Sequence, residues 1–157
     1  MKNVLLICCG MLSLGLSSCS TPSADTSETA PVGPPVLPAP VQEAALAGTV
    51  DFRTQIAPIL AMRCLPCHDG KFMIGLYSLT DRRTAFQPGA SGPRIVPGYP
   101  DKSPLFLNPE STHKSVISMP PVGNRLTNPE LAILRRWIVQ GAAWPEGQAG
   151  VLSRSGD

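Results

Sequence analysis

Apolar positions recur at helical spacing in two stretches of the chain, and the sequence between these stretches has no long period. In the first stretch, Asp51 to Arg63, they fall at Phe52, Ile56, Ile59, Leu60 and Met62. In the second, Asn128 to Gln140, they fall at Leu131, Leu134, Trp137 and Ile138. Since these spacings place the apolar side chains on one face, we expect a helix in each stretch. Pro- and Gly-rich loops should connect them, with one short helical turn at Thr80 to Phe86.

Residues near the ends of the two stretches support these helices. Thr127 and Glu130 form a capping-box pattern, Pro129 suits a first helical turn, and Gly141 should end the second helix. Pro58 interrupts the first helix, because proline has no N–H to donate. It must therefore lie in a first turn or kink the helix, and the sequence leaves both arrangements open.

The N-terminus has the order of charged, apolar and small residues that is typical of a secretory signal. Its apolar run, Val4 to Leu16, is shorter than the about 20 residues that a transmembrane helix needs. The next residues, Ser17-Ser18-Cys19, complete a sequence that resembles the lipobox of bacterial lipoproteins. We expect residues 1–18 to be a cleaved signal peptide and Cys19 to be acylated. An ordinary signal that happens to contain a cysteine is the alternative.

Composition divides the remaining chain into three parts. Residues 19–48 are rich in Pro, Ser, Thr and Ala, which is typical of a disordered, partly polyproline tether. Residues 49–147 then form one domain of ordinary small size, and residues 148–157 form a flexible tail. The net charge of +2, without a dense basic run, argues against nucleic-acid binding.

The sequence Cys64-Leu65-Pro66-Cys67-His68 contains the main candidate chemistry. In a C-x-x-C-H motif the two thiols can add to the two vinyl groups of a porphyrin, and the adjacent imidazole can bind the iron. We therefore expect one covalently attached haem c, with thioethers at Cys64 and Cys67 and with His68 as the proximal axial ligand. A haem would also explain the long loop region, since such loops are unusual in a small domain unless they wrap something.

Two other chemistries would use the same cysteines. A thioredoxin-like dithiol needs a strand before the motif and a helix that starts at its first cysteine, whereas here a helix leads into Cys64. A zinc site could recruit Cys64, Cys67 and His113, but the consecutive Cys67 and His68 are poorly placed around one tetrahedral ion. Both interpretations are weaker than haem attachment.

The second axial ligand has four candidates, which are Met62, Met73, His113 and Met119. Met62 and Met73 lie only a few residues from the haem-binding motif, on the proximal side. Met119 is followed by two prolines, which stiffen the segment, and a short loop separates it from the C-terminal helix. We expect Met119 to bind the iron. The alternatives are ligation by His113 and an ordinary core role for Met119.

From Phe52 to Pro145 the chain resembles the planctomycete-type cytochrome c domain. The resemblance rests on Ile56-Ala57-Pro58-Ile59-Leu60, Cys64 to His68, Gly75-Leu76, Ser91-Gly92-Pro93, Ile95-Val96-Pro97-Gly98, Ser103 with Leu105, Met119-Pro120-Pro121, Leu126-Thr127, Leu134-Arg135-Arg136-Trp137-Ile138 and Gly141-Ala142. Residues Lys71 to Leu79 depart from the family pattern, with Phe72, Met73 and Tyr77 where the family is more polar.

The resemblance implies a mainly α, class I cytochrome c-like fold, in which N- and C-terminal helices and long Pro/Gly-rich loops wrap one haem. It also implies His/Met ligation of the iron and a role in electron transfer. The Gly92-Pro93 turn resembles the proximal loop of class I cytochromes. We therefore expect the Pro93 carbonyl to accept a hydrogen bond from the His68 imidazole, which would fix its tautomer.

The sequence is thus interpreted as an exported mono-haem c-type cytochrome whose lipid anchors it to a membrane of the cell envelope. Its domain would face the periplasm or the outside and carry single electrons between redox partner proteins, without enzymatic activity. One alternative is a ligand sensor or enzyme with an open iron site. Another is a haem subunit of a larger membrane redox complex. Ligation by Met119 favours the carrier, because it closes the sixth position of the iron.

Overall fold

The computed structural model describes residues 33–71, 77–89, 92–110, 119–120 and 125–154. Within these ranges lie the helices α1 (Ala39–Ala47), α2 (Ala57–Arg63), α3 (Leu65–His68), α4 (Arg82–Ala85), α5 (Pro104–Glu110) and α6 (Asn128–Val139). A π-helical turn at Phe52–Ile56 precedes α2, and 3-10 turns lie at Pro100–Lys102 and Gly147–Gly150. These ranges contain no β-strand, although an isolated bridge pairs Gly89 with Gly92. The predicted mainly α fold class is confirmed.

The helix predicted over residues 51–63 is present in two consecutive parts, the π-helical turn and α2. At its start, Asp51 Oδ1 accepts hydrogen bonds from the Thr54 hydroxyl at 2.6 Å and the Thr54 N–H at 2.8 Å. These bonds hold the pKa of Asp51 below its ordinary value. Pro58 lies in the first turn of α2, directly after the π-helical turn, so its missing N–H falls where the helix type changes. The open choice at Pro58 is therefore settled as a first turn.

Helix α6 begins with the predicted capping box. The Thr127 Oγ1 accepts a hydrogen bond from the Glu130 N–H at 3.3 Å, and the Glu130 Oε2 accepts one from the Thr127 N–H at 2.8 Å. The helix ends at Val139, and Gly141 follows with a φ of 101°, a left-handed conformation that favours glycine. The buried residues on α6 include Ile133, Leu134, Trp137 and Ile138.

An aromatic cluster joins the start of the first helical region to the end of α6. Phe52 lies 4.5 Å from Trp144 and 6.1 Å from Trp137 between ring centroids, and all three side chains are buried. The indole N–H of Trp137 donates to the Ala143 carbonyl at 2.9 Å. Since such rings bury large apolar areas, this cluster fixes the packing of the segment that leads into the C-x-x-C-H motif.

The structure corrects the predicted boundary at residue 48. Helix α1 lies inside the segment expected to be a disordered tether, and it packs against α6 and the π-helical turn. Leu37 and Ala45 are buried, and the Gly33 N–H donates to the Arg125 carbonyl at 3.1 Å. The folded domain therefore includes residues 33–48, because α6 supplies a surface against which the apolar side chains of this segment pack.

The prediction of a flexible tail is wrong for residues 148–154. The Leu152 side chain is buried, and its N–H donates to the Thr80 carbonyl at 2.7 Å. Arg154 pairs with Asp69 at 2.6 Å and donates to the Pro66 carbonyl at 2.9 Å. The C-terminal segment therefore packs against the region of the C-x-x-C-H motif.

Across the ranges that the structure describes, every helix is too short or too polar to cross a lipid bilayer.

Candidate haem-binding site

The C-x-x-C-H motif forms a helical turn directly after α2. The Cys64 N–H donates to the Leu60 carbonyl at 2.9 Å, so the motif continues from the preceding helix. The Cys64 carbonyl then accepts hydrogen bonds from the N–H groups of Cys67 at 3.1 Å and His68 at 3.0 Å. Because residues three and four apart share a helical face, this turn brings both thiols and the imidazole to one side of the chain.

Cys64, Cys67, His68 and Met119 all line the same cavity. This cavity has about 420 Å³ of empty space, including its open mouth. The main chain of Met119 is held by a hydrogen bond of 3.2 Å from its N–H to the Asn108 carbonyl. The remaining lining residues, of which one is charged, are Arg63, Tyr77, Pro104, Leu105, Asn108, Pro109, Pro120 and Leu126.

The thiols and their surroundings fit covalent attachment of a haem. Neither Cys64 nor Cys67 is in a disulfide. Burial raises the pKa of the Cys64 thiol to about 12, so a thiolate would be unfavourable there. A thioether carries no charge and suits this environment, whereas a reactive dithiol requires a lowered pKa. The described residues also contain no group of three or more His, Cys, Asp and Glu side chains arranged to hold a metal ion.

His68 lies at the inner end of the motif turn and is buried. Its carbonyl accepts a hydrogen bond from the Leu79 N–H at 2.8 Å, and its ring stacks on Tyr77 with centroids 4.2 Å apart. Burial raises the pKa of the Tyr77 hydroxyl above its ordinary value, so the phenol is neutral. The guanidinium of Arg94 lies over the Tyr77 ring, 5.0 Å from its centroid. Two side chains therefore support the imidazole from beyond the motif.

Residues 64–123 match the family model described as Planctomycete cytochrome C. The match covers 60 of the 157 residues and supports this domain family for that part of the chain. The matched stretch begins at the first cysteine of the motif and extends beyond Met119, so it contains the whole set of residues expected to hold the haem. The family supports a role in haem binding and electron transfer. Neither the curated proteins nor the solved structures contain a match to this chain.

The other candidate residues that the sequence indicated lie outside this cavity or outside the described ranges. Met62 is 52% exposed and does not line the cavity, which weakens it as an iron ligand. Pro93 is exposed and also does not line the cavity, so its hydrogen bond with His68 stays a prediction. The described ranges do not include Cys19, Met73 or His113.

The sequence analysis did not predict α5, which contributes four of the residues around the cavity: Pro104, Leu105, Asn108 and Pro109. Proline at its first position follows a serine, and this pair could have indicated a helix start. The hydroxyl of Ser103 is buried, where it accepts a bond from the Val96 N–H and donates to the Tyr99 carbonyl, each at 2.9 Å. These bonds hold together the loop that precedes α5 and thereby position this helix beside the cavity.

Tyr77 and Arg94 were also missed as neighbours of the site. Tyr77 had been noted only as a departure from the family pattern. Since stacking between residues distant in sequence leaves no periodic signal, the sequence alone could not pair either residue with His68.

Proposed function

We propose that this chain is a mono-haem c-type cytochrome that carries single electrons while tethered to a membrane of the cell envelope. The observation that carries the proposal is the convergence of Cys64, Cys67, His68 and Met119 on one cavity. The family match, which supports haem binding and electron transfer, points in the same direction. When bound, the haem iron supplies a one-electron Fe(III)/Fe(II) couple.

In this proposal each residue of the cavity has a defined role. Cys64 and Cys67 would hold the porphyrin through thioethers, and His68 and Met119 would bind the iron. A thioether ligand favours the ferrous state and raises the reduction potential relative to a second imidazole. Leu105 and Leu126 exclude water from the site, which also favours the state of lower charge. Because His68 and Met119 would both bind the iron, they would leave no position open for a substrate, which suits an electron carrier.

The tether follows from the N-terminal sequence, with Cys19 as the acylated residue. Since the folded domain includes Gly33, the tether is shorter than the composition suggested. Fully extended as polyproline, residues 19–32 would span roughly 40 Å at ~3.1 Å per residue. This length would let the domain contact redox partner proteins while its lipid stays in the membrane.

The absorption spectrum of the oxidised protein tests the proposal. Thioether ligation to ferric haem gives a weak charge-transfer band near the red end of the visible range, which bis-histidine and water-ligated haems lack. We expect this band in the wild-type protein. Met119→His should keep a six-coordinate iron and lower the reduction potential, whereas Met119→Ala should open the sixth position.

Met62→Ala is the matched control, because Met62 is an exposed methionine that does not line the cavity. It should leave both the band and the potential unchanged. A protein without covalent haem would refute the proposed cofactor. A haem protein that lacks the band, and in which Met119→Ala alters neither spectrum nor potential, would instead favour a sensor or enzyme with another iron environment.

A further inference from the structure

Tyr77 and Arg94 have no part in the function proposed above, yet they form a stack with the predicted axial ligand. The rings of His68 and Tyr77 are 4.2 Å apart at an interplanar angle of 28°. The guanidinium carbon of Arg94 is 5.0 Å from the centroid of the Tyr77 ring. A cation therefore lies over the ring that stacks on the predicted iron ligand.

The charge on Arg94 is not neutralised by any carboxylate among the residues that the structure describes. Within the same ranges its Nε is buried and has no hydrogen-bond acceptor. The guanidinium packs against the backbone at Gly89, where an added Cβ would lie 3.1 Å from the Arg94 Nη2. Gly89 in turn exchanges two hydrogen bonds of 3.0 Å with Gly92. The absence of a side chain at Gly89 thus leaves room for Arg94 above Tyr77.

We propose that Tyr77 and Arg94 are positioning residues for His68, which hold the imidazole plane and raise the reduction potential of the bound iron. This inference rests on the proposed function, because it requires His68 to be an axial ligand. A flat ring against the imidazole restricts its rotation. The fixed cation of Arg94 disfavours Fe(III), which carries one more positive charge than Fe(II), and the partial burial of Arg94 weakens the screening of this repulsion.

The reduction potential and the electron paramagnetic resonance spectrum of the full-length haem protein test this inference. We expect Tyr77→Leu and Arg94→Gln each to lower the reduction potential. The equilibrium constant for electron exchange with a reference dye should then change about tenfold in favour of the ferric protein. This change corresponds to about 59 mV for one electron. Tyr77→Leu should also alter the ferric g-values, which report the orientation of the axial imidazole.

Conservative variants distinguish positioning from simple packing. Tyr77→Phe keeps the ring and Arg94→Lys keeps the charge. The equilibrium constant for electron exchange with the dye should therefore stay within twofold of the wild-type value in both variants. Arg82→Gln is the matched control, because the Arg82 guanidinium lies 5.2 Å from the Phe86 ring and neither residue lines the cavity. It should leave the potential unchanged.

The outcomes separate this inference from the proposed function. If haem is attached and both Tyr77→Leu and Arg94→Gln have the wild-type potential, the stack has no such role and the cytochrome proposal stands. If the reduction potential shifts in Arg94→Gln but not in Tyr77→Leu, the proposed role of the stack is also refuted. If Tyr77→Leu does not fold, the test is the comparison of Arg94→Gln with Arg94→Lys. Equal reduction potentials in these two variants would refute the inference. A wild-type chain that attaches no haem would refute both proposals.

Discussion

Arg63 and Glu130 form a buried ion pair, with 3.1 Å between Nη2 and Oε1 and side chains that are 3% and 0% exposed. The pair connects the residue before the first motif cysteine to the first turn of α6. The Glu130 Oε1 also accepts a hydrogen bond from the Val36 N–H at 2.8 Å, and the Arg63 Nη2 also donates to the Pro34 carbonyl. Three segments distant in sequence therefore meet at this pair.

We predict that Glu130→Gln lowers the free energy of unfolding by about 3 kcal/mol, because it leaves the Arg63 charge buried without a counter-charge. The substitution keeps the shape of the side chain and an amide oxygen that can accept hydrogen bonds. Urea denaturation of the full chain measures the change.

Glu146→Gln is the matched control for the buried pair. Glu146 pairs with Arg82 at the same 3.1 Å, but its side chain is 81% exposed. Exposed pairs contribute about 0–1 kcal/mol, so this variant should be close to the wild type. Equal effects of the two substitutions would show that burial of the Arg63–Glu130 pair has no consequence for stability.

A second prediction concerns the N-terminal segment that packs on the domain. Leu37 is 4% exposed, and Leu37→Ala should lower the free energy of unfolding by about 2 kcal/mol or more, because it leaves a cavity in the core. Leu46→Ala is the control, since Leu46 lies in α1 but is 41% exposed and should change stability by about 0.5 kcal/mol or less. Indistinguishable stabilities of the two variants, measured by thermal unfolding, would contradict the packed arrangement of this segment.

The parts of the fold that sequence analysis predicted correctly depend on local signals. The capping box of Thr127 and Glu130 acts over three residues, and it indicated the start of α6 correctly. Cys64, Cys67 and His68 likewise lie within about one helical turn of each other, so their spacing is a local signal. The structure brings all three to one cavity.

The parts that were missed depend on contacts between distant residues. The tether prediction failed at α1 because the burial of Ala45 needs the surface of α6, which composition cannot reveal. Helix α5 lies in a Pro- and Gly-rich region without a long period, which predicts loops, and Pro109 lies in its interior. The tail prediction failed because Leu152 is held by the carbonyl of Thr80, a partner without a sequence signature.

A third prediction concerns Arg154, which connects the C-terminal segment to the C-x-x-C-H motif. Its guanidinium pairs with Asp69 and donates to the carbonyl of Pro66, the residue before Cys67. Arg154→Gln should lower the free energy of unfolding by about 1 kcal/mol, since the Arg154 side chain is 36% exposed and its ion pair is partly screened. Chemical denaturation of the haem protein measures this loss.

Arg135→Gln is the corresponding control for Arg154. Arg135 lies 3.9 Å from Asp101, and both side chains are at least half exposed. We expect no measurable change in this variant. If Arg154→Gln is as stable as Arg135→Gln, the contacts of the C-terminal segment with the motif do not stabilise the domain.

The last prediction is that the mature chain begins at acylated Cys19 and partitions with membranes. Each buried CH₂ contributes about 0.8 kcal/mol, so the two or three acyl chains of a lipoprotein would provide a stable anchor. Mass spectrometry of the N-terminal peptide should find the lipid on Cys19. Cys19→Ala should move the protein to the non-membrane fraction with an unchanged haem spectrum, because the cavity residues belong to the separate folded domain. Ser20→Ala, which keeps the cysteine, should stay with the membrane. An unmodified N-terminal peptide that starts at another residue would rule out the lipid anchor.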